Sequence, residues 1–232
     1  MSPNERKLDN PVWYSLTEKH QSFGIDYGKI KFYHPDYCPF GGFTEVENTA
    51  TPIAEYAELT SHFYIIGEKP NIPSNLKLEG ELICMQMIIY DKIDFNIADE
   101  IVELGEEHLE DLLGLVKIVY PEYFKKKTAT LGKYYGIYKN KQLVAVTGER
   151  MKMNEFTEVS AVITHPEHTG KGYAKQLVTH TTNAILDQNK IPFLHVSEMN
   201  IGAIKLYQKL GFQTRTKISI WNITKKEENF LN

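Results

Sequence analysis

Cysteine is scarce in this chain: among 232 residues only Cys38 and Cys84 occur. A chain of that length buries a core without covalent staples. The two therefore imply no disulfide framework and read as small packed hydrophobes in a reducing compartment. Long apolar runs are missing too. No stretch of about 18 consecutive apolar residues is available to cross a bilayer. Met1 to Asn10 is polar, without the apolar core of a secretion signal, so the expected location is the cytoplasm. Positive charge is not in surplus, with 26 Lys and Arg against 30 Asp and Glu and a net charge of -4. Such a balance offers no basic field to release counterions from DNA or RNA, and nucleic-acid binding is not expected. With 15 glycines and 10 prolines the chain is neither collagen-like nor of low complexity, and no internal repeat is visible. What is present, 42% hydrophobic and 24% charged residues, describes an ordinary globular protein of one large domain or two small ones.

Hydrophobic patterning changes character across the polar stretch Asp91 to Asn96. Before it, Pro11 to His20 has helical spacing and Lys29 to His34 alternates like a strand. Asp36 to Phe43 reads as a loop through its Pro and paired Gly, and Ile53 to Leu59 as a helix. His62 to Ile66 and Leu82 to Tyr90 are apolar runs of buried-strand length, separated by a loop from Gly67 to Gly80. After it the elements run β, α, β, β, β, α, β, α, β. Strand 101–104 is followed by helix 107–119, ended by Pro121. A hairpin of 128–138 and 143–151, a strand 157–164 and a helix 172–189 come next. Strand 193–197, helix 201–210 with Gly211 beyond it, and strand 217–223 complete the series. The expected division is residues 1–95, residues 96–225 and a polar tail 226–232.

Chemistry concentrates in two segments. The first is Thr157-Glu-Val-Ser-Ala-Val-Ile-Thr-His-Pro-Glu-His-Thr-Gly-Lys-Gly-Tyr-Ala174, a strand, a glycine turn and a helix start. Backbone amides at a helix N-terminus converge on an anion, and Gly170 and Gly172 let the main chain come close to a pyrophosphate. A Walker A loop does not fit, because His165 and Gly172 stand where its first Gly and its Ser/Thr belong. Nor does the dinucleotide fingerprint, since Lys175 replaces its third glycine. The second segment, Pro192 to Phe212, places Asn200 at a strand-to-helix junction with Ala203 and Tyr207 on one helix face.

Together these segments resemble the GNAT superfamily, the GCN-related N-acetyltransferases. The pyrophosphate motif Q/RxxGxG/A is similar to Thr169-Gly-Lys-Gly-Tyr-Ala174. The motif NxxAxxLYxxLGF matches Asn200, Ala203, Leu206, Tyr207, Leu210, Gly211 and Phe212, and the resemblance covers about residues 98–224. Asn10-Pro-Val-Trp13, Tyr33-His-Pro-Asp36, Gly148-Glu-Arg150 and Pro192-Phe-Leu-His195 are similar to a two-part bacterial subgroup with an N-terminal domain of unknown role. The resemblance implies an α/β fold, a mixed and mainly antiparallel sheet flanked by helices, with a smaller N-terminal α+β domain that could be a partial GNAT-like half. It implies acetyl-CoA as acyl donor and a small-molecule or protein amine as acceptor, met by loops near Tyr120 to Thr128 and Ile218 to Ile223. It implies no metal, although His165 and His168 form an HxxH pair. The alternative is an acyl-CoA-binding regulator without transferase activity.

Residue roles follow from the same likeness. Val162, Ile163 and Thr164 would meet the pantetheine arm through the backbone, with the Val162 N–H as oxyanion donor. Thr169, Gly170, Lys171, Gly172, Tyr173, Ala174 and Lys175 would hold the pyrophosphate, with Thr169 departing from the usual Arg or Gln. Asn200 and Ala203 would border pantetheine, and Tyr207 would protonate the leaving thiolate. Three residues compete as general base, Glu158, His195 and Glu149, with water alone as the remaining alternative. Simple alternation puts Glu158, Ser160, Val162 and Thr164 on one strand face, and a carboxylate among apolar neighbours there would have a raised pKa.

Overall fold

The structure, a computed structural model, describes residues 3–119 and 124–226. Residues 120–123 of the expected acceptor loop, Pro121 among them, and the tail beyond Lys226 lie outside the described residues. In chain order the elements are α1 (Pro11–Thr17), β1 (Gly24–Asp26), β2 (Ile30–Tyr33), β3 (Phe40–Phe43), α2 (Ala50–Ala57), β4 (His62–Ile66), β5 (Leu76–Ile88) and β6 (Val102–Glu103). They continue with α3 (Leu109–Val119), β7 (Tyr134–Lys139), β8 (Gln142–Lys152), β9 (Phe156–Thr164), α4 (Tyr173–Asp187), β10 (Ile191–Ser197), α5 (Ile201–Lys209) and β11 (Gln213–Lys225). No helix among the described residues is long and apolar enough to cross a membrane. Cys38 and Cys84 are buried thiols, not joined in a disulfide.

Contacts divide the chain into two units. One holds Pro39–Cys84 with the described residues 3–35 and 217–226; the other holds Asp36–Cys38 and Met85–Thr216. The sequence expectation placed its boundary between residues 95 and 96. The units are discontinuous because β5 and β11 each run from one into the other, and strand pairing ties the end of β11 to β4 through Ile220↔Ile66 and Thr224↔His62. Partners 154 to 162 residues earlier leave no local signal.

In the first unit, β1, β2 and β3 are antiparallel neighbours. α2 then returns the chain so that β4 lies parallel to β3, with antiparallel β11 on its far side. Phe32 stacks on Tyr56 of α2 at 3.9 Å between centroids, and Phe63 packs edge-on against both. Strand β3 corrects the loop expected around Phe40 to Phe43. Its paired glycines serve close approach rather than turning: a Cβ at Gly41 would stand 2.4 Å from the Phe32 ring, and one at Gly42 3.0 Å from the Trp13 nitrogen. The expected Gly67 to Gly80 loop is also shorter, since β5 begins at Leu76.

The second unit has the neighbour order β5-β10-β9-β8-β7-β6, with the N-terminal end of β11 beside β5. Its connectivity follows the first: β7, β8 and β9 are antiparallel, α4 crosses over, and β10 lies parallel to β9. The repetition is topological and leaves no trace in residue identity. One sheet face packs on α4 and α5 through Met87, Val159, Val178, Leu194 and Val196. The other packs on α3 through Leu112, Leu115, Tyr134, Val146 and Ile163.

Candidate active site

The turn between β9 and α4 is built from short local bonds. Pairing ends where the His165 N–H donates to Val144 O at 2.8 Å. Pro166–His168 then forms one 3-10 turn, and Thr169 Oγ1 donates back to Pro166 O at 3.0 Å. Gly170 (φ 76°) and Gly172 (φ 80°) are left-handed, and nothing lies within 4 Å of a Cβ built on either. Glycine is needed there for conformation, and the space above the turn is open. Gly172 caps α4, whose first internal bond runs from Gln176 N to Gly172 O at 3.2 Å. The amides of Tyr173, Ala174 and Lys175 precede that bond and lie at the positive end of the helix dipole. The side chains divide. Tyr173 is buried beside Tyr135 and Leu177, Lys171 Nζ is 3.4 Å from His168 Nδ1, and the Lys175 ammonium sits 3.6 Å from the Phe95 ring centroid. Gln176 ties the turn down: its Oε1 accepts from the Ala98 and Asp99 amides, both at 2.8 Å.

Strands β9 and β10 form a fork. They pair in parallel at Ile191↔Phe156, Pro192↔Thr157 and Phe193↔Glu158, and no pairing between them continues past Glu158. A bulge in β9 falls beyond the last pair. Val146↔Ile163 and Gly148↔Ser160 set three β9 steps against two in β8, and Ala161 takes up the extra residue at φ 51°. This corrects the alternation expected from sequence. Val162 lies on the α4 and α5 face with Val159, while Ile163 turns to the α3 face, so Glu158 and Val162 are on opposite faces. The side chain of Ile163 is core, leaving its backbone as the part available to a ligand.

Glu158 stands at the base of the fork, with 1% of its side chain exposed. Arg150 grips it in bidentate fashion, Nε to Oε2 and Nη2 to Oε1, both at 2.7 Å, and His195 Nδ1 lies 2.8 Å from Oε1. Arg150 follows Glu149↔Val159 on β8 and so comes opposite Glu158; a second bulge, in β8, falls in the same interval, where Glu149↔Val159 and Lys152↔Thr157 set three steps against two. Burial alone would push the Glu158 carboxyl up. The Arg150 charge and hydrogen bonds, with a contribution from His195, outweigh burial and hold it well below the usual carboxylate range. The raised pKa expected for Glu158 is therefore corrected: the carboxylate is ionised and saturated by donors. His195 is two residues past the last paired position, with 3% of its side chain exposed. Its Nε2 lies 3.0 Å from Gln86 Nε2 on β5, and Gln86 Oε1 accepts from Arg215 Nη1 on β11 at 2.8 Å.

Comparison with known proteins decides what this arrangement belongs to. Residues 134–221 match the family model described as FR47-like protein. A candidate acetyltransferase of the GNAT family from Novosphingobium aromaticivorans superposes with a TM-score of 0.81 at 27% identity, over 94% of this chain and 98% of that one. The chain carries a GNAT-related domain. Two further structures show the same fold at low identity. The GCN5-related N-acetyltransferase-like protein of Streptococcus suis has TM-score 0.62 and 14% identity, covering 94% of this chain and 97% of that one. The GCN5-related N-acetyltransferase of Kribbella flavida has TM-score 0.60 and 12% identity, covering 97% and 96%. No curated protein matches the chain in sequence.

Within the GNAT fold the remaining site residues take defined places. Tyr207 is buried on α5, near Phe212, on the same face as Val162 and Ala203. Glu158 and His195 occupy the opposite face, so the fork separates the phenol from the imidazole. Asn200 caps α5, its Oδ1 accepting from Ala203 N at 3.1 Å. Glu149 is turned away from Glu158, opposite Val159, and is bonded to Lys152 Nζ at 2.6 Å. In the sequence Arg150 stands out only within the string Gly148-Glu-Arg150, and no motif marks Gln86 or Arg215. Gln86 carried a signal, one amide in the apolar run Leu82 to Tyr90; Arg215 carried none. Among the described residues no group of three or more His, Cys, Asp or Glu could hold a metal.

Proposed function

We propose that the GNAT-related domain transfers an acetyl group from acetyl-CoA to a primary amine, on a small molecule or a protein, by direct attack in a ternary complex. The observation that carries the reading is His195 at the base of the β9–β10 fork, its Nδ1 held 2.8 Å from an ionised Glu158. Acetyl-CoA supplies the activated acyl group. The glycine turn, with the amides of residues 173–175 and open space above Gly170 and Gly172, suits its pyrophosphate. Thr169 adds no side-chain cation there, so backbone donors and the dipole of α4 carry the anion.

His195 takes the role of general base through Nε2, and Glu158 the role of the fixed charge that steadies the imidazolium. Tyr207 supplies a proton to the departing sulfur from the other face. The Val162 amide beside the bulge stabilises the oxyanion. Glu149, whose Oε2 accepts from Lys152 on the face away from Glu158, is given no role in this reading.

The test is an amine panel with thiol detection, run beside thermal shift with acetyl-CoA. Stabilisation together with thiol release is expected; stabilisation with no transfer to any amine would point to a binding protein instead. Tyr207→Phe should lower kcat about 100-fold and leave KM for acetyl-CoA unchanged. Equal rates in the two proteins would remove Tyr207 from the chemistry. Gly172→Ala forces a Cβ into a left-handed conformation costing about 1–2 kcal/mol. Calorimetry should then show CoA affinity falling about tenfold, with the melting temperature lowered by about 2–8 °C by the strain itself. Unaltered affinity would place the pyrophosphate elsewhere.

A further inference from the structure

Five side chains on five neighbouring strands form one hydrogen-bonded row: Arg215, Gln86, His195, Glu158 and Arg150. Its direction follows from the donors each group owns. A guanidinium only donates, so the Gln86 oxygen must face Arg215, at 2.8 Å. The amide nitrogen of Gln86 therefore faces His195 Nε2, at 3.0 Å. Two N–H groups cannot bond to each other, so Nε2 is the bare, accepting nitrogen and the ring proton sits on Nδ1. That proton points at Glu158 Oε1, 2.8 Å away, on a carboxylate that only accepts and that Arg150 holds from the other side.

We infer that Gln86 and Arg215 are positioning residues, which hold His195 in the one tautomer whose Nε2 lone pair can receive a proton. The inference rests on the reading of His195 as general base. Arg215 acts through Gln86 by fixing which end of the amide faces the ring. When an amine arrives at Nε2, its N–H replaces that of Gln86. A second proton on the ring would set N–H against N–H, so Gln86 must then turn its amide and give up Arg215. The charged groups bearing on His195 are Glu158 of β9, Arg150 of β8 behind it and Arg215 of β11 behind Gln86; the Phe193 ring on its own strand is uncharged.

The experiment is nitrogen-15 NMR of the His195 ring in the full-length protein, followed through pH, for the parent, Gln86→Glu and Arg215→Met. In the parent, Nε2 is expected bare and Nδ1 protonated. In Gln86→Glu a carboxylate accepts from both Arg215 and the ring. His195 is then expected to keep both protons to a pH about one unit or more above the parent, and the acidic limb of kcat/KM to move with it. In Arg215→Met the amide is released and both tautomers are expected. A parent ring protonated at Nε2, or a Gln86→Glu ring that titrates like the parent, overturns the inference whether or not the protein is active. An inactive parent with the stated tautomer instead fails the transferase reading, and with it the catalytic purpose of the row. Should Gln86→Glu not fold, the parent spectrum and Arg215→Met decide alone.

Discussion

Glu158→Gln should lose roughly 3–5 kcal/mol of stability, the usual cost of leaving one member of a buried ion pair without its partner. In a chain of this size that is a fall of about 10 °C in melting temperature. The physical cause is Arg150, whose side chain is 18% exposed and whose guanidinium meets both oxygens of Glu158 at 2.7 Å. Adding Arg150→Met should recover most of the loss, because the pair's desolvation cost disappears with it. A single variant melting within about 2 °C of the parent would mean that the pair does not hold β8 to β9. The same pair sets an acid dependence. The folded Glu158 carboxyl is held below its ordinary value of 4.5. Its contribution is therefore complete above that pH and is lost as pH falls through and below it, toward the depressed folded value. In Glu158→Gln the acid-side slope of stability against pH should shrink by about one proton.

His195→Gln is expected to act on turnover instead. Glutamine can still donate to Glu158, so stability should fall by only about 1 kcal/mol. It has no nitrogen able to take a proton near neutral pH, and kcat should fall about 1000-fold, with KM for acetyl-CoA unchanged. The two variants separate two roles that the sequence left in competition. Glu158 is read as the anchor of the ion pair and His195 as the group that accepts the proton. A kcat within about threefold of the parent would mean that the amine arrives neutral and needs no protein base. If turnover in Glu158→Gln collapses while the melting temperature holds, the roles are reversed.

Much of the fold was legible in residue patterns, for local reasons. The helical spacing behind Gly172 and the apolar run 193–197 predict α4 and β10, and both form with Gly172 as cap. The left-handed conformations at Gly170 and Gly172 follow from glycine's freedom at a strand-to-helix turn. Misreadings arose where a distant neighbour decides. Phe40-Gly-Gly-Phe43 looks like a loop until Phe32 and α1 demand a backbone without side chains. Glu158 looks like a carboxylate among apolar neighbours until strand pairing sets Arg150 against it and the β9 bulge turns Val162 to the other face.

The sequence by itself determined that this is a mixed α/β chain with a GNAT-related segment, because glycine turns, caps and hydrophobic periods act over a few residues and are written in order. Tertiary structure alone decided the partners: β11 beside β4, Gln86 beside His195, Arg215 beside Gln86. Those contacts join residues 109 to 162 positions apart. Alternation along a strand is a local rule, but a bulge reverses it for every residue that follows. The face on which a charge lies, and hence the pKa and the role it takes, is settled only when the strands are assembled.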